Sequence, residues 1–214
     1  METGFEKAKA RAFAATLVVA VALSCAGAPA ANAVTLAAAD FEAGGKVVAS
    51  YIKGDAGNKR EFRCTRKVTG LASSDPRVVS VRAARTGYGF DVELRKPGKA
   101  KVTYMLGGAR RAVALKVVKY SNPVKSFKVG AKDYAGKFKK ARSCRLPAKK
   151  ANLGKLRVVA AKGWKLKKLY SGFSERNSLK TRNGAELGGS LNVRAVLKNS
   201  KTGLVETLEF RNGT

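Results

Sequence analysis

The stretch SSDPRVVSVRAARTGYGFDVELRKPGKAKVTY, residues 73–104, carries the clearest fold signal in the chain. Asp75-Pro76 sets a turn, because proline fixes φ near the value a turn needs and aspartate bonds back to the following backbone. Beyond it Val79 and Val81 alternate with Ser80, and Phe90, Val92 and Leu94 alternate with Asp91 and Glu93. This period of two puts the apolar side chains of a strand on one face and the polar ones on the other. Pro97-Gly98 then turns the chain into a further strand through Val102 and Tyr104. The reading is the middle of a small β-sandwich.

The same signals recur on both sides. Residues 46–52 form a β-branched run, Gly54-Asp55-Ala56-Gly57 has strong turn chemistry, and residues 61–68 resume a strand with Phe62 and Cys64 on one face, which together predict a hairpin. Gly107-Gly108 signals a tight turn into a strand through Val113, Leu115 and Val117. Ser121-Asn122-Pro123 breaks the pattern and reads as a short linker, after which Phe127 and Val129 restart it. Residues 132–150 are irregular and basic, with a helical turn expected over 134–140. Leu156 with Val158, Trp164 with Leu166, and the run 191–197 predict further strands, and residues 204–210 close a C-terminal hairpin in which Glu206 interrupts the apolar face. No segment has a sustained helical period, and turn signals every 8–15 residues or so fit an all-β sandwich.

Charge is the compositional outlier. Lys and Arg number 44 against 14 Asp and Glu, a net charge of +30, while 45% of residues are hydrophobic, as in a globular chain. Histidine is absent, which removes the commonest general base and metal ligand. Residues 1–33 have the grammar of an export signal: Lys7, Lys9 and Arg11, an apolar run over 12–23, and small residues to Ala31-Asn32-Ala33. Cleavage is expected after Ala33, with an uncleaved anchor or acylation at Cys25 as the alternatives, and no membrane span is expected after cleavage. In an oxidising compartment Cys64 and Cys144 are candidates for a disulfide. It would close a loop of about 80 residues and stabilise by about 4 kcal/mol in the chain-entropy model. Two separate buried thiols are the alternative.

Residues 45–119 resemble the bacterial Ig-like group 2 (BIG2-type) modules. The resemblance rests on Ser73-Ser74-Asp75-Pro76 with Val78-Val79-Ser80-Val81, on residues 87–94, and on Pro97-Gly98 leading to Val102-Thr103-Tyr104, which looks like that family's penultimate hairpin. A Trp expected before the Ser-Ser pair is replaced by Gly70-Leu71-Ala72. The second half is similar only in style to Lys-rich β domains of secreted bacterial proteins. Membership implies adhesion, spacing or envelope binding and transfers no catalytic residue.

The expected architecture is therefore all-β: a signal peptide (1–33) followed in tandem by two small Ig-like β-sandwich domains, 34–120 and a Lys-rich 121–214. Candidate polyanion-binding residues are Lys137, Lys139, Lys140 and Arg142, Lys149 and Lys150, and Lys165, Lys167 and Lys168, set against the plain reading of a solvated strand face. Trp164, between apolar neighbours, reads as core. Asp91 and Glu93 share a strand face, but Arg95 and Lys96 next to them compensate their charge. Ser73 and Ser74 have no His partner. No cofactor, metal or catalytic residue is expected. The expected function is a secreted, non-enzymatic protein that binds an anionic envelope polymer or acidic glycan, with non-specific nucleic acid binding a secondary prospect. The alternative is a structural or adhesin-like module that docks a protein partner at a sheet edge, its charge serving solubility alone.

Overall fold

The computed structural model describes residue 41 and residues 45–146, 152–172, 178–188 and 192–212. The expected signal peptide, its cleavage after Ala33, Cys25, Lys149 and Lys150 lie outside the described residues. Asp75 makes the turn its chemistry dictates: its carbonyl accepts from the backbone of Val78 and Val79, both at 3.0 Å, and its carboxylate accepts from Arg77 N at 3.0 Å. The first half contains β1 (Gly45–Tyr51), β2 (Lys59–Arg63), β3 (Val68–Ser73), β4 (Val79–Ala83), β5 (Gly89–Leu94), β6 (Gly98–Leu106) and β7 (Ala109–Lys119). They form two sheets, β1-β7-β6-β3 and β2-β5-β4. Alternation turns Phe62, Phe90, Val92, Leu94, Val102, Tyr104, Val113 and Leu115 into one buried core. Removing each such side chain from water contributes about 1.5–3 kcal/mol.

The hairpin expected from residues 46–52 and 61–68 does not form. Instead β1 runs parallel to β7, with Val47 opposite Leu115 and Ala49 opposite Val117. Asp55 caps a short 3-10 turn over Ala56–Asn58 that carries the chain across to the other sheet, where β2 pairs with β5 and Phe62 stands opposite Phe90. The rings sit 5.3 Å apart, and Phe41 packs on Phe62 at 4.4 Å, so aromatic packing in the core rewards the crossing. The run 61–68 accordingly splits into β2 and β3.

The second half contains β8 (Val124–Val129), β9 (Lys132–Asp133), β10 (Ser143–Leu146), β11 (Asn152–Ala160), β12 (Trp164–Gly172), β13 (Ser178–Thr181), β14 (Glu186–Gly188), β15 (Asn192–Asn199) and β16 (Val205–Asn212). The sheets are β10-β16-β15-β12-β13 and β14-β11-β8-β9. The helical turn expected over 134–140 is a 3-10 turn, Ala135–Lys139, whose buried Phe138 packs on Phe127 at 5.0 Å. Trp164 is buried, and the C-terminal hairpin has Ala195 opposite Leu208 and Val193 opposite Phe210. A second core gathers Phe127, Phe138, Leu156, Trp164, Leu197 and Phe210.

Both halves are Ig-like β-sandwiches built to the same closing rule. In each, an earlier strand pairs parallel with the last one, β1 with β7 and β10 with β16, so the outer edge of the larger sheet is made by a chain segment far away in sequence. Val48 and Val118, which face away from the first core, pack against the second. Tyr120 N donates to Tyr51 O at 3.1 Å where one sandwich hands over to the other.

Candidate functional site: a buried arginine and a basic sheet face

Arg142, expected among the polyanion-binding residues, is 1% exposed and belongs to a buried polar cluster between the two cores. Its position follows from the backbone: Glu209 N donates to Arg142 O at 2.8 Å, fixing the residue ahead of β10 against β16. The guanidinium then reaches the first sandwich. Nε donates to Glu206 Oε2 at 3.0 Å, and Nη2 donates to Ser50 O and Ser50 Oγ, each at 2.7 Å. Nη1 lies 3.2 Å from Asp55 Oδ2, a charge contact without the alignment of a hydrogen bond. Ser50 Oγ in turn donates to Glu206 Oε1. The guanidinium carbon sits 5.5 Å from the centre of the Tyr120 ring, whose hydroxyl donates to Phe138 O at 2.9 Å.

This cluster explains Glu206, the residue that interrupts the apolar alternation of β16. Its side chain is fully buried, and burial pushes its carboxyl pKa up against the opposing attraction of Arg142 and the Ser50 hydrogen bond. Burial likewise raises the Tyr120 hydroxyl. A buried cation so enclosed has no surface left for a polymer. It fastens β1 of one sandwich to β10 and β16 of the other.

Cys64 and Cys144 are not joined in the structure, contrary to the expected disulfide. Cys64 packs at the margin of the first core and Cys144 inside the second, so each side chain follows its own hydrophobic cluster. Burial raises the Cys144 thiol pKa despite Lys137 and Lys132 nearby.

The remaining candidate lysines divide into two groups. Lys137, Lys139 and Lys140 are exposed on and just after the 3-10 turn, where buried Phe138 acts as anchor and the flanking ammonium groups point to water. Lys165, Lys167 and Lys168 are exposed on β12, with Lys167 at a register shift. The first group lies ahead of β10 and the second on β12, and β16 and β15 run between those two strands. Sequence reading missed their cross-strand neighbours. Lys165 stands opposite exposed Lys198, and Arg145 opposite Arg211. Arg194 lies beside them, over the Tyr170 ring at 5.1 Å, with Glu209 opposite it on β16. Only the strand register reveals these pairings.

In the first sandwich Glu93 is held by Lys59 and Arg95, each at 3.3 Å. Burial opposes its ionisation, but these two cations win and its carboxyl pKa is lowered. Charge compensation is thus what the Asp91/Glu93 strand face provides at Glu93, with Arg95 among the partners. An open cleft of about 470 Å³ beside them is lined by Tyr51, Asp55, Asn58, Lys59, Glu93 and Arg95. Among the described residues no group of three or more Asp, Glu, Cys or His side chains is arranged to hold a metal ion, and no helix is long and apolar enough to cross a membrane.

No family model matches the chain, and no curated protein matches it. Solved structures similar to it include domains 4–9 of the surface layer protein SbsC, at 13% identity over 80% of this chain and 30% of that one, TM-score 0.28. A tri-modular GH5 (subfamily 4) endo-β-1,4-glucanase from Bacillus licheniformis matches at 10% identity over 79% of this chain and 37% of that one, TM-score 0.26. Extracellular cadherin domains 1–4 of protocadherin gamma B7 match at 11% identity over 78% and 48%, TM-score 0.23. The chain spans about a third of the length of the first of these structures.

Proposed function

We propose that this chain is a secreted, non-enzymatic Ig-like protein that binds an anionic envelope polymer through the outer face of the five-stranded sheet of its second sandwich. The observation that carries the reading is the pairing of Lys165 with Lys198 directly across β12 and β15. Among the described residues neither has a carboxylate within ion-pair distance. Like charges directly opposite on a strand pair are unfavourable, and an anion lying between them relieves that repulsion. Lys168 and Arg194 extend the same surface, and a repeating polyanion meets several of these cations at once. The export grammar of residues 1–33 and the BIG2-type resemblance of residues 45–119 support an envelope setting. The lack of histidine in the sequence supports a binding role over catalysis.

The test is a salt series of binding to poly(glycerol phosphate) and DNA. Wild-type affinity should fall steeply with salt. Lys165→Gln/Lys168→Gln/Lys198→Gln should weaken binding and flatten the slope by about 0.7–0.9 for each phosphate that is no longer neutralised. Unchanged binding in that variant favours the second reading, a protein partner docked at a sheet edge. That reading has its own support in β13, an edge strand whose Leu179 is 77% exposed.

A further inference from the structure

A separate basic surface lies at the far end of the first sandwich, where three turns meet: β2–β3, β4–β5 and β6–β7. Their backbones are bonded to one another. Cys64 N donates to Tyr88 O at 2.9 Å, Val68 N to Gly87 O at 2.8 Å and Gly107 N to Lys67 O at 3.2 Å. Two of the cations are seated on glycines of neighbouring turns. A Cβ on Gly107 would come 2.6 Å from Arg66 Cδ, and one on Gly87 would come 3.8 Å from Lys67 Cε. Each stem therefore lies on bare backbone of a different turn. Arg66, Lys67, Arg85, Arg110 and Arg111 are all exposed here, and among the described residues none has a carboxylate within ion-pair distance. Tyr88, 54% exposed, lies on the same β4–β5 turn as Arg85, its carbonyl accepting from Cys64 N. From this end β7 runs eleven residues to the junction, roughly 35 Å away at the usual rise per residue, so the surface is remote from the second sandwich.

We propose that this three-turn end is a binding site for an anionic oligosaccharide. Guanidinium forks take carboxylate or phosphate groups in bidentate pairs, which ammonium groups do not. The exposed tyrosine ring on the turn that carries Arg85 offers a flat apolar face for a sugar ring. Backbone bonds fix the turns relative to one another, and the Arg66 and Lys67 stems lie along neighbouring turns, which reduces the ordering cost at those two cations. The site does not depend on the sheet-face reading, since it shares no residue with it.

The experiment is calorimetric titration of the full chain at low salt with three probes: tetragalacturonate, tetrapolyphosphate and uncharged maltotetraose. Tetragalacturonate should bind, and Arg66→Ala/Arg85→Ala/Arg111→Ala should weaken it by at least about tenfold with an unchanged unfolding midpoint. Tyr88→Ala should weaken it several-fold, and Arg85→Lys should recover only part of the affinity, as loss of the fork requires. Lys165→Gln/Lys168→Gln/Lys198→Gln should leave this binding within about twofold. Tetrapolyphosphate binding as tightly as the uronate, with Tyr88→Ala inert, would show charge attraction alone and overturn the proposal. Loss confined to the sheet-face variant would also overturn it and leave the sheet-face reading standing. Maltotetraose binding would refute the need for charge.

Discussion

Arg142 Nε donates to Glu206 Oε2 at 3.0 Å, and the two side chains are 1% and 0% exposed. A fully buried ion pair between sequence positions 64 apart is thus the polar centre of the contact between the two sandwiches. Taking both charges out of water is costly, and the hydrogen bonds to Ser50 and the charge of Asp55 offset part of that cost. Arg142→Met alone leaves the Glu206 carboxylate buried without its counter-charge and should cost about 3–5 kcal/mol in denaturant unfolding. Arg142→Met with Glu206→Leu removes both charges and should recover most of it. A double variant no more stable than the single would show that the pair is net favourable beyond its geometry.

Glu206 also predicts an unusual pH dependence. Its folded-state pKa is raised above the ordinary 4.5, so between pH 4.5 and the raised value the folded protein holds a proton that the unfolded chain has released, and above that value the ion pair with Arg142 is complete. The associated stability is complete below about pH 4.5 and is lost as pH rises through the raised value. The groups facing this carboxyl are Arg142, Asp55, Ser50 and Tyr120. Asp133 works in the opposite sense. Burial opposes its ionisation, but Ser126, Ala135 and Phe127 hydrogen-bond its carboxylate and lower its pKa below 3.8, so its contribution is lost as pH falls through that lowered value. Unfolding free energy measured upward from pH 4.5 should therefore decline, and Glu206→Gln should flatten the decline. A slope unchanged by Glu206→Gln assigns it to another group.

The period of two in residues 79–94 and 191–210 is a local property, so the strands it marks were legible without any partner. Partner choice is not local. The turn at Gly54–Gly57 reads equally well as a hairpin bend or as a crossing, and only packing of Phe62 on Phe90 decides between them. The short β10, β13 and β14 carry too few alternations to show a period. At the site, Glu206 was visible as a break in an apolar face, which is the signal a buried ion pair leaves in sequence. Its partner Arg142 was hidden in a run of basic residues, because composition does not distinguish the one cation that turns inward. The three-turn basic end was invisible for the same reason: Arg66, Arg85 and Arg111 are far apart in the chain, and the sheet topology gathers their turns.

Cys144 supplies a chemical test of the separation of the two cores. Its side chain is 6% exposed and its thiol pKa is raised by burial, so little thiolate is present at neutral pH. In native protein Cys144 should react with a disulfide reagent only at the rate of opening of the second core, and denaturant should make the reaction fast. Peptide mapping without reductant should yield Cys144 unlinked to Cys64. A 64–144 cross-link recovered from folded protein would contradict the placement of the two side chains in separate clusters.

Gly89 tests the crossing that the sequence did not show. A Cβ there would run into the carbonyl oxygen of Phe62, an atom of the paired backbone that cannot rotate away as a side chain does. Gly89→Ala must push β2 off β5 at the Arg63–Gly89 pair, next to the pair that places Phe62 against Phe90. The cost should be about 1–3 kcal/mol, the range of core overpacking, with the first sandwich loosened selectively in hydrogen exchange. Gly136 is the control. It lies in the 3-10 turn with nothing within 4 Å of an added Cβ and without a positive φ, so Gly136→Ala should be neutral or stabilise by up to about 1 kcal/mol through the unfolded chain. Equal effects at the two glycines would mean that β2 is not held against β5 this closely, and the pairing of those strands would have to be redrawn.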